Sequence, residues 1–510
     1  MSNGGLPNYL KMAKPNPATN RAPWYKNTAQ TYAGIMLWFV FWNEVPVGRS
    51  LQPGTPYSGF AGGILSQGLG VAILGVILAA LICHFLFYVV PGMLGMKSGL
   101  PLYIVGTSTY GAQGGFLMPG FLMGVLQFGW LAVNAFFAGV LLCAPFGQGP
   151  GTAAHAIVAT LWAVGAAFMG VKGIQYVAKV ATFLPLIPLA ILIILVVSTI
   201  GGIGDFDSQA LIDRTAAVEV QQEVTLADGA TETQTIRAAA PLSTFGVVAL
   251  VLTYIVGFFA TAGAAGADFG MNNRDARDVQ LGGLVGIAGA TILAGGAALL
   301  IVAGAHGAGK ASDGAAMAAT SLMGDVMGST RIGGVFMYLL AIAAFPPACF
   351  SSFIAANSFK TTLPNVKPMI SCGIGTLVAV ILAVTGLAGN AVGVFNIIGA
   401  SFGPICGAMM VDYLLSGRKW AGPRAGVNWA GWISWLVGFI VGMAPMVGLA
   451  QIPAAPVAAF IVGAVLYFAL AKAGLEPQVV PLEPAPVAQE PQAAAAPPPV
   501  AEPTPPAEGK

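Results

Sequence analysis

Apolar runs of about 20 residues recur along the whole chain, each long enough to cross a hydrocarbon core as a helix. They fall at 28–48, 61–90, 116–145, 152–170, 175–201, 243–265, 281–304, 332–358, 369–388, 391–415, 428–450 and 454–473. Backbone polar groups in lipid must bond within their own segment, so these runs predict about twelve transmembrane helices and an all-α integral membrane protein. Only 8% of the 510 residues are charged and 56% are hydrophobic, which leaves no soluble alternative.

The charged residues also orient the chain. With the N-terminus inside, only Arg49, Arg214, Arg237, Lys310 and Arg331 of the 21 basic residues fall on the outer face, leaving sixteen on the inner one. This is the positive-inside pattern, and one missed span would scramble it. The expectation is a multi-pass protein of the cell membrane with both termini cytoplasmic. Residues 1–27 form a polar cytoplasmic segment without the apolar core and cleavage site of a signal peptide. Residues 28–473 form the transmembrane domain. Its polar loop 202–242 is external, and VEVQQEVTLADGATETQTIR within it reads as a hairpin around Asp228-Gly229. Residues 474–510 are a Pro/Ala-rich segment, expected to be a disordered cytoplasmic tail.

The same composition narrows the chemistry. A net charge of +2 without a basic patch argues against nucleic acid, which leaves the lipid bilayer and a small molecule as partners. The five cysteines stand singly in apolar surroundings, without metal spacing. His84, His155 and His306 are far apart, and neither HExxH nor GxSxG occurs, so no enzyme and no cofactor are expected. No filter loop or charged ring suggests a channel. The polar cluster from Asn272 to Asp278 reads as a solvated loop capping the seventh span.

Four polar seams interrupt the spans. In LWFVFWNEVPVG, Glu44 lies deep in span one, next to Asn43 and ahead of Pro46 and Gly48. Either the span ends early and Glu44 pairs with Arg49 at the surface, or the helix breaks and Glu44 lines a cavity; a carboxylate inside the bilayer is a functional candidate by default. In span eight, PPACFSSFIAANSF offers the carbonyl of Ala348 with the hydroxyls of Ser351 and Ser352, half a cage for a hard cation such as Na+. The competing reading is that each serine bonds the carbonyl four residues back. In span three, Gln127, Trp130 and Asn134 share a helical face, as packing residues or as a stacking platform flanked by amides. In span six, Gly257 precedes Phe258 and Phe259, marking either a tight helix crossing or an aromatic that closes over a ligand.

These stretches, in this order, resemble the nucleobase-cation symporter family, which includes cytosine permease, purine and allantoin permeases and hydantoin transporters. Further echoes are GMKSGLPLYIVGTSTYGAQGGFLMPG, ATAGAAGADFGMNNRDARD, FGPICGAMMVDYLLSGRKW and VNWAGWISWLVG, so the resemblance runs from Trp24 to Lys472. It implies a LeuT-type fold with two inverted five-helix repeats and discontinuous helices one and six. It also implies that Trp130 and Phe259 sandwich a base whose edges are read by Gln127, Asn134 and Asn357. In sodium-coupled members, Na+ would sit among the Ala348 carbonyl, Ser351, Ser352 and the carbonyls of Val40 and Asn43. Glu44 departs from the pattern, because the aligned position in hydantoin-type members looks like glutamine. A carboxylate only accepts, so it would select a substrate edge with two N–H donors, or a cation, or would itself titrate and couple transport to protons.

The expected function is therefore secondary active import of a cytosine- or purine-like base, or a related heterocycle, by Na+ or H+ symport with alternating access. The alternatives are a same-fold symporter of an amino acid or amine, and a membrane receptor that binds without transporting.

Overall fold

The computed structural model describes residues 6–26, 41, 59–172, 176, 183–217, 220–225, 231–236, 238–311, 319–363 and 365–482. Eleven apolar helices correspond to eleven of the twelve expected spans: α1 (Leu69–Ser98), α2 (Phe116–Phe146), α3 (Ala153–Lys172), α4 (Leu186–Asp205), α6 (Thr244–Ala264), α7 (Ala276–Gly307), α8 (Thr330–Thr362), α9 (Pro368–Val384), α10 (Ala391–Leu415), α11 (Trp429–Met443) and α12 (Ala455–Lys472). Among the described residues, nine of these helices are long and apolar enough to cross a membrane, while α9 and α11 are shorter. Span one lies outside the described residues except for Phe41, and with it lie Val40, Asn43 and Glu44. The chain is a multi-pass membrane protein.

Local chemistry sets the helix ends. Ser243, Asp275, Ser329, Asn390 and Asn428 each accept a backbone N–H in the first turn of the helix they precede, satisfying donors that a helix leaves open. Span two begins at Leu69 rather than residue 61, because Gly62, Gly63 and Gly68 adopt positive φ and hold Gly63–Gln67 in a tighter turn. Between α4 and α6 stand a short helix α5 (Ser208–Ala216) and two antiparallel strands, β1 (Val220–Thr225) and β2 (Thr231–Ile236), paired from Val220↔Ile236 to Thr225↔Thr231. The hairpin expected around Asp228-Gly229 thus forms, although the turn itself lies outside the described residues.

The helices form two packing groups. In one, α2, α3, α8 and α9 pack against one another; in the other, α1 packs on α6 and α7, and α6 continues onto α10, which carries α11 and α12. Helix α6 runs unbroken over Thr244–Ala264, nearly the whole of the expected span, and Ala265 joins its end to the short turn Gly266–Gly270. That turn lies backbone to backbone on α1: a Cβ on Gly95 would stand 2.0 Å from the Ala267 carbonyl oxygen, and one on Gly270 would stand 2.1 Å from that of Gly92. Only glycine permits this approach. Helices α1 and α7, second in their respective halves, each contain a wide π-type turn, at Cys83–Tyr88 and Leu284–Gly289, and the two turns face each other.

The N-terminal segment lies across the helix ends on one face. Asn16 donates to the Met271 carbonyl, Arg21 to that of Met96, and the Trp24 N–H to Asp278, while Tyr9 donates to the Ala112 carbonyl. Asp278, expected in a solvated loop, is in fact buried and held by Arg274. Beside this segment sits a buried polar network. Arg424 pairs with Asp412 at 3.2 Å and Glu476 at 2.7 Å; Asp412 also accepts from Ser108 and Thr109, and Tyr467 donates to Glu476. Glu476 belongs to the expected tail, yet Val480 donates to the Pro423 carbonyl and Ala425 to that of Gln478. Residues 476–480 are therefore docked, because a buried arginine with one buried carboxylate requires further partners.

Two outcomes follow from these contacts. Arg424→Ala strands Asp412 without its counter-ion, so thermal unfolding in detergent should show a loss of roughly 3–5 kcal/mol. Glu476→Gln should cost clearly less, because Glu476 is partly exposed. Asp268, just beyond α6, accepts the Leu102 N–H at 3.2 Å, and burial pushes its carboxyl up to about 6 despite that bond. A raised carboxyl contributes stability that is fully present below its unfolded value and is lost as pH rises through about 6. Asp268→Asn keeps an acceptor for Leu102. It should therefore add about 1 kcal/mol of stability at neutral pH, after allowing for partial exposure, read as a higher thermal midpoint that is absent near pH 4.

Candidate functional site

Helix α2 carries the expected polar face into the middle of the bundle. Trp130 is half-buried and donates its indole N–H to the Thr261 hydroxyl on α6 at 3.1 Å. Its ring meets Phe258 edge-on at 4.6 Å between centroids, and Phe395 of α10 at 5.1 Å with a tilt of 32°. Phe258 and Phe395 are themselves in edge contact at 5.1 Å, and Tyr254 and Phe41 extend the cluster toward span one. Trp130 is thus a platform with two aromatic walls at the junction of the two helix groups.

The resemblance paired Trp130 with Phe259, but Phe258 is the residue against the indole. Phe259 is fully buried behind Phe258, at 5.0 Å. Successive helical residues point about 100° apart, so one-residue ambiguity in the Phe-Phe pair decides which ring faces the slot. Gly257 faces α10: a Cβ there would stand 2.4 Å from the Phe395 carbonyl oxygen. It serves the tight helix crossing, and by allowing that crossing it brings Phe395 to Trp130. Phe395 lies in a weakly patterned stretch, VGVFNIIG, with no local signal of a site.

The amides have separate fates. Gln127 is buried on the α2 face, with its amide nitrogen 3.5 Å from Met123 Sδ. Asn134 is committed on both ends: its amide donates to the Ala344 carbonyl of α8 at 3.0 Å, and its oxygen accepts the Trp162 indole N–H of α3 at 2.9 Å. Asn357 lies exposed on α8, more than two turns beyond Ala348.

On α8, Pro346 and Pro347 are accommodated within a continuous helix, but they remove two N–H donors to the preceding turn. Ala348 and Ser352 are fully buried, and Ser351 is half-buried. The Ser352 hydroxyl has no partner among the described residues, so it does not bond back to the Ala348 carbonyl as membrane-helix serines ordinarily do. Its Cβ lies where α3 comes closest, 2.8 Å from a Cβ built on Gly170. A fully buried hydroxyl without a partner is costly unless something accepts or coordinates it, and its lone pairs suit a hard cation.

No family model matches the sequence, and no protein of curated function matches it. The chain is similar to Mhp1 in an inward-facing conformation, with 15% identity and a TM-score of 0.64 over 92% of this chain and 95% of that one. Mhp1, described as a nucleobase-cation-symport-1 family transporter, also matches in a closed conformation with bromovinylhydantoin bound, at 16% identity and a TM-score of 0.53 over 90% and 95% of the two chains. A Na+-coupled sialic acid symporter matches at 13% identity and a TM-score of 0.52, over 90% and 92%. The protein therefore has the LeuT-type fold of cation-coupled membrane transporters. At these identities the likeness is one of architecture.

If the Thr261 hydroxyl holds the platform, Thr261→Val should leave the indole N–H unpaired in a buried site. Stability should fall by about 1 kcal/mol, a drop of about 1 °C in apparent melting temperature for a chain of 510 residues, and Thr261→Ser should restore it.

Proposed function

We propose that the protein is a cation-coupled symporter of the nucleobase-cation type, importing a nucleobase or related planar heterocycle across the cell membrane. The observation that carries this reading is the Trp130 platform, walled by Phe258 and Phe395 and set among polar side chains at the meeting point of the two helix groups. A flat, partly polar solute matches such a slot by stacking and by hydrogen bonding at its rim. The described side chains that meet Trp130 are aromatic or neutral and polar, which suits a flat, uncharged solute better than an amino acid.

The cation reading rests on Ser352, whose buried hydroxyl lacks a partner, with the Ala348 carbonyl and Ser351 nearby on the same helix. Na+ is the proposed coupling ion, because hydroxyl and carbonyl oxygens suit a hard cation, with Val40 and Asn43 of span one, outside the described residues, as the remaining donors. In that role, cation binding would fix α8 against span one, and the base would then favour closure by contacts made only in the occluded state. Glu44 is assigned to the substrate cavity at the break of span one, where it accepts from a two-donor substrate edge. The face crossed by the N-terminal segment is assigned to the cytoplasm by the excess of basic residues there.

Uptake into proteoliposomes tests the proposal. Labelled cytosine, uracil, guanine, adenine, hypoxanthine and hydantoin are each offered under an imposed Na+ gradient and, separately, a proton gradient. One base should accumulate under the Na+ gradient, Trp130→Ala should abolish its binding, and Glu44→Gln should change the ranking of bases. Accumulation under a proton gradient alone would overturn the Na+ assignment. Binding without flux would leave a receptor, and no binding of any base would overturn the substrate class.

A further inference from the structure

The polar groups around Trp130 do not all face a ligand, and the exception connects the two halves of the proposed site. Asn134 lies one turn along α2 from Trp130, on the same face, yet both ends of its amide are spent on other helices. The Trp162 N–H reaches its oxygen at 2.9 Å, which leaves the amide nitrogen to point at the Ala344 carbonyl at 3.0 Å. Trp162 also packs edge-on against Phe345 at 5.1 Å. The turn Ala344–Phe345 of α8 is therefore gripped twice, by Asn134 and by Trp162.

This grip falls at the weakest point of α8. Pro346 and Pro347 follow immediately and supply no N–H to the preceding turn, so the two parts of α8 are joined by fewer hydrogen bonds than elsewhere. The candidate cation oxygens, Ala348, Ser351 and Ser352, lie just beyond the prolines. The same turn borders an open apolar groove lined by Trp162 and Met169 of α3, Tyr176, Leu184, and Ile342, Phe345 and Pro346 of α8. The proline turn is thus held by a polar clamp and borders an apolar groove, a setting in which a helix segment can shift between two positions.

We propose that Asn134, oriented by Trp162, is a positioning residue that couples substrate on the Trp130 platform to the cation oxygens of α8. This inference rests on the symporter reading. A base stacked on Trp130 fixes α2 at Asn134, and Asn134 fixes the angle at which α8 leaves its proline turn. Cation binding beyond the prolines favours the same angle, so each ligand promotes the other through a shared element, as reciprocal coupling requires. The role differs from reading the substrate edge, because the amide is already engaged on both ends.

The test compares purified wild type, Trp162→Phe and Asn134→Ala, with cytosine, guanine and hydantoin as probes. Each dissociation constant is measured in saturating NaCl and in choline chloride at equal ionic strength. Their ratio is the coupling factor, expected in wild type to lie in the range of roughly 5–150-fold. Trp162→Phe keeps an aromatic ring against Phe345 and loses the N–H. It should leave affinity in choline unchanged while the Na+ enhancement falls to about one-third or less of its wild-type size, and Asn134→Ala should lose the enhancement as well. A purely packing role would weaken binding equally in both salts and preserve the ratio, which would overturn the inference while leaving the symporter reading intact. Wild type that binds a base with no Na+ enhancement also overturns it. Wild type that binds no probe in either salt overturns both the inference and the reading on which it rests.

Discussion

Inside a bilayer no water is available to satisfy a polar group, so every N–H, carbonyl and hydroxyl in the spans must find its partner in the protein. This constraint explains both the regularity of the structure and its informative exceptions. Backbone groups are absorbed by the helices, and helix ends by the side chains of Ser243, Asp275, Ser329, Asn390 and Asn428. What remains is a short inventory of polar side chains in the interior, and each one must be spent on a neighbour or held for a ligand. Thr261 is spent on Trp130, Asn134 on Ala344 and Trp162, and Asn396 on the Gly442 carbonyl. The Ser352 hydroxyl, among the described residues, is not, nor are those of Ser66, Tyr110 and Thr291.

The second constraint is the lack of a hydrophobic driving force between helices already surrounded by hydrocarbon. Close backbone approach replaces it here. Gly257 against the Phe395 carbonyl, and Gly95 against Ala267, bring helices together where any side chain would collide. These crossings also place the aromatic rings: the distance from α6 to α10 set by Gly257 decides that Phe395 reaches Trp130. At the polar end of the bundle the logic reverses, and charge does the fastening. Arg424 gathers Asp412 and Glu476, and so ties the ends of α10 and α12, the loop between α10 and α11 and the root of the C-terminal segment into one buried node.

Much of this was legible in the sequence, for identifiable reasons. Span positions follow from hydropathy, which lipid enforces without exception. The β1–β2 hairpin follows from Asp228-Gly229 between alternating residues, and the α2 face from the spacing of Gln127, Trp130 and Asn134. Other features depend on three-dimensional placement that spacing alone cannot supply. The choice between Phe258 and Phe259 turns on helix rotation. Phe395 enters only because Gly257 admits α10. Asn134 looks free until Trp162 and Ala344 arrive from two other helices. Glu476 looks like the start of a solvated tail because its partner, Arg424, lies in a separate loop. Asp278 looks solvated until Trp24 and Arg274 close over it.

The filled state of the platform carries a consequence for selectivity. Trp130 already has Phe258 and Phe395 against it, so a planar ligand stacking there, as proposed, would exchange one aromatic contact for another. Such contacts are worth about 0.5–1.5 kcal/mol beyond area burial, and an exchange between similar ones leaves little net gain. The indole N–H is likewise engaged with Thr261 before the ligand arrives. Under the proposed function, stacking would supply shape, admitting flat solutes and excluding bulky ones, while discrimination among flat solutes would fall to the few polar groups not already spent. A site that must hydrogen-bond its ligand rejects an analogue lacking the complementary group far more strongly than an apolar wall rejects a misfit. With Asn134 committed to α8, the proposed function leaves that task to Gln127 on α2 and to span one. On that proposal Glu44, the one carboxylate in the sequence of that span, would have the greatest power to choose.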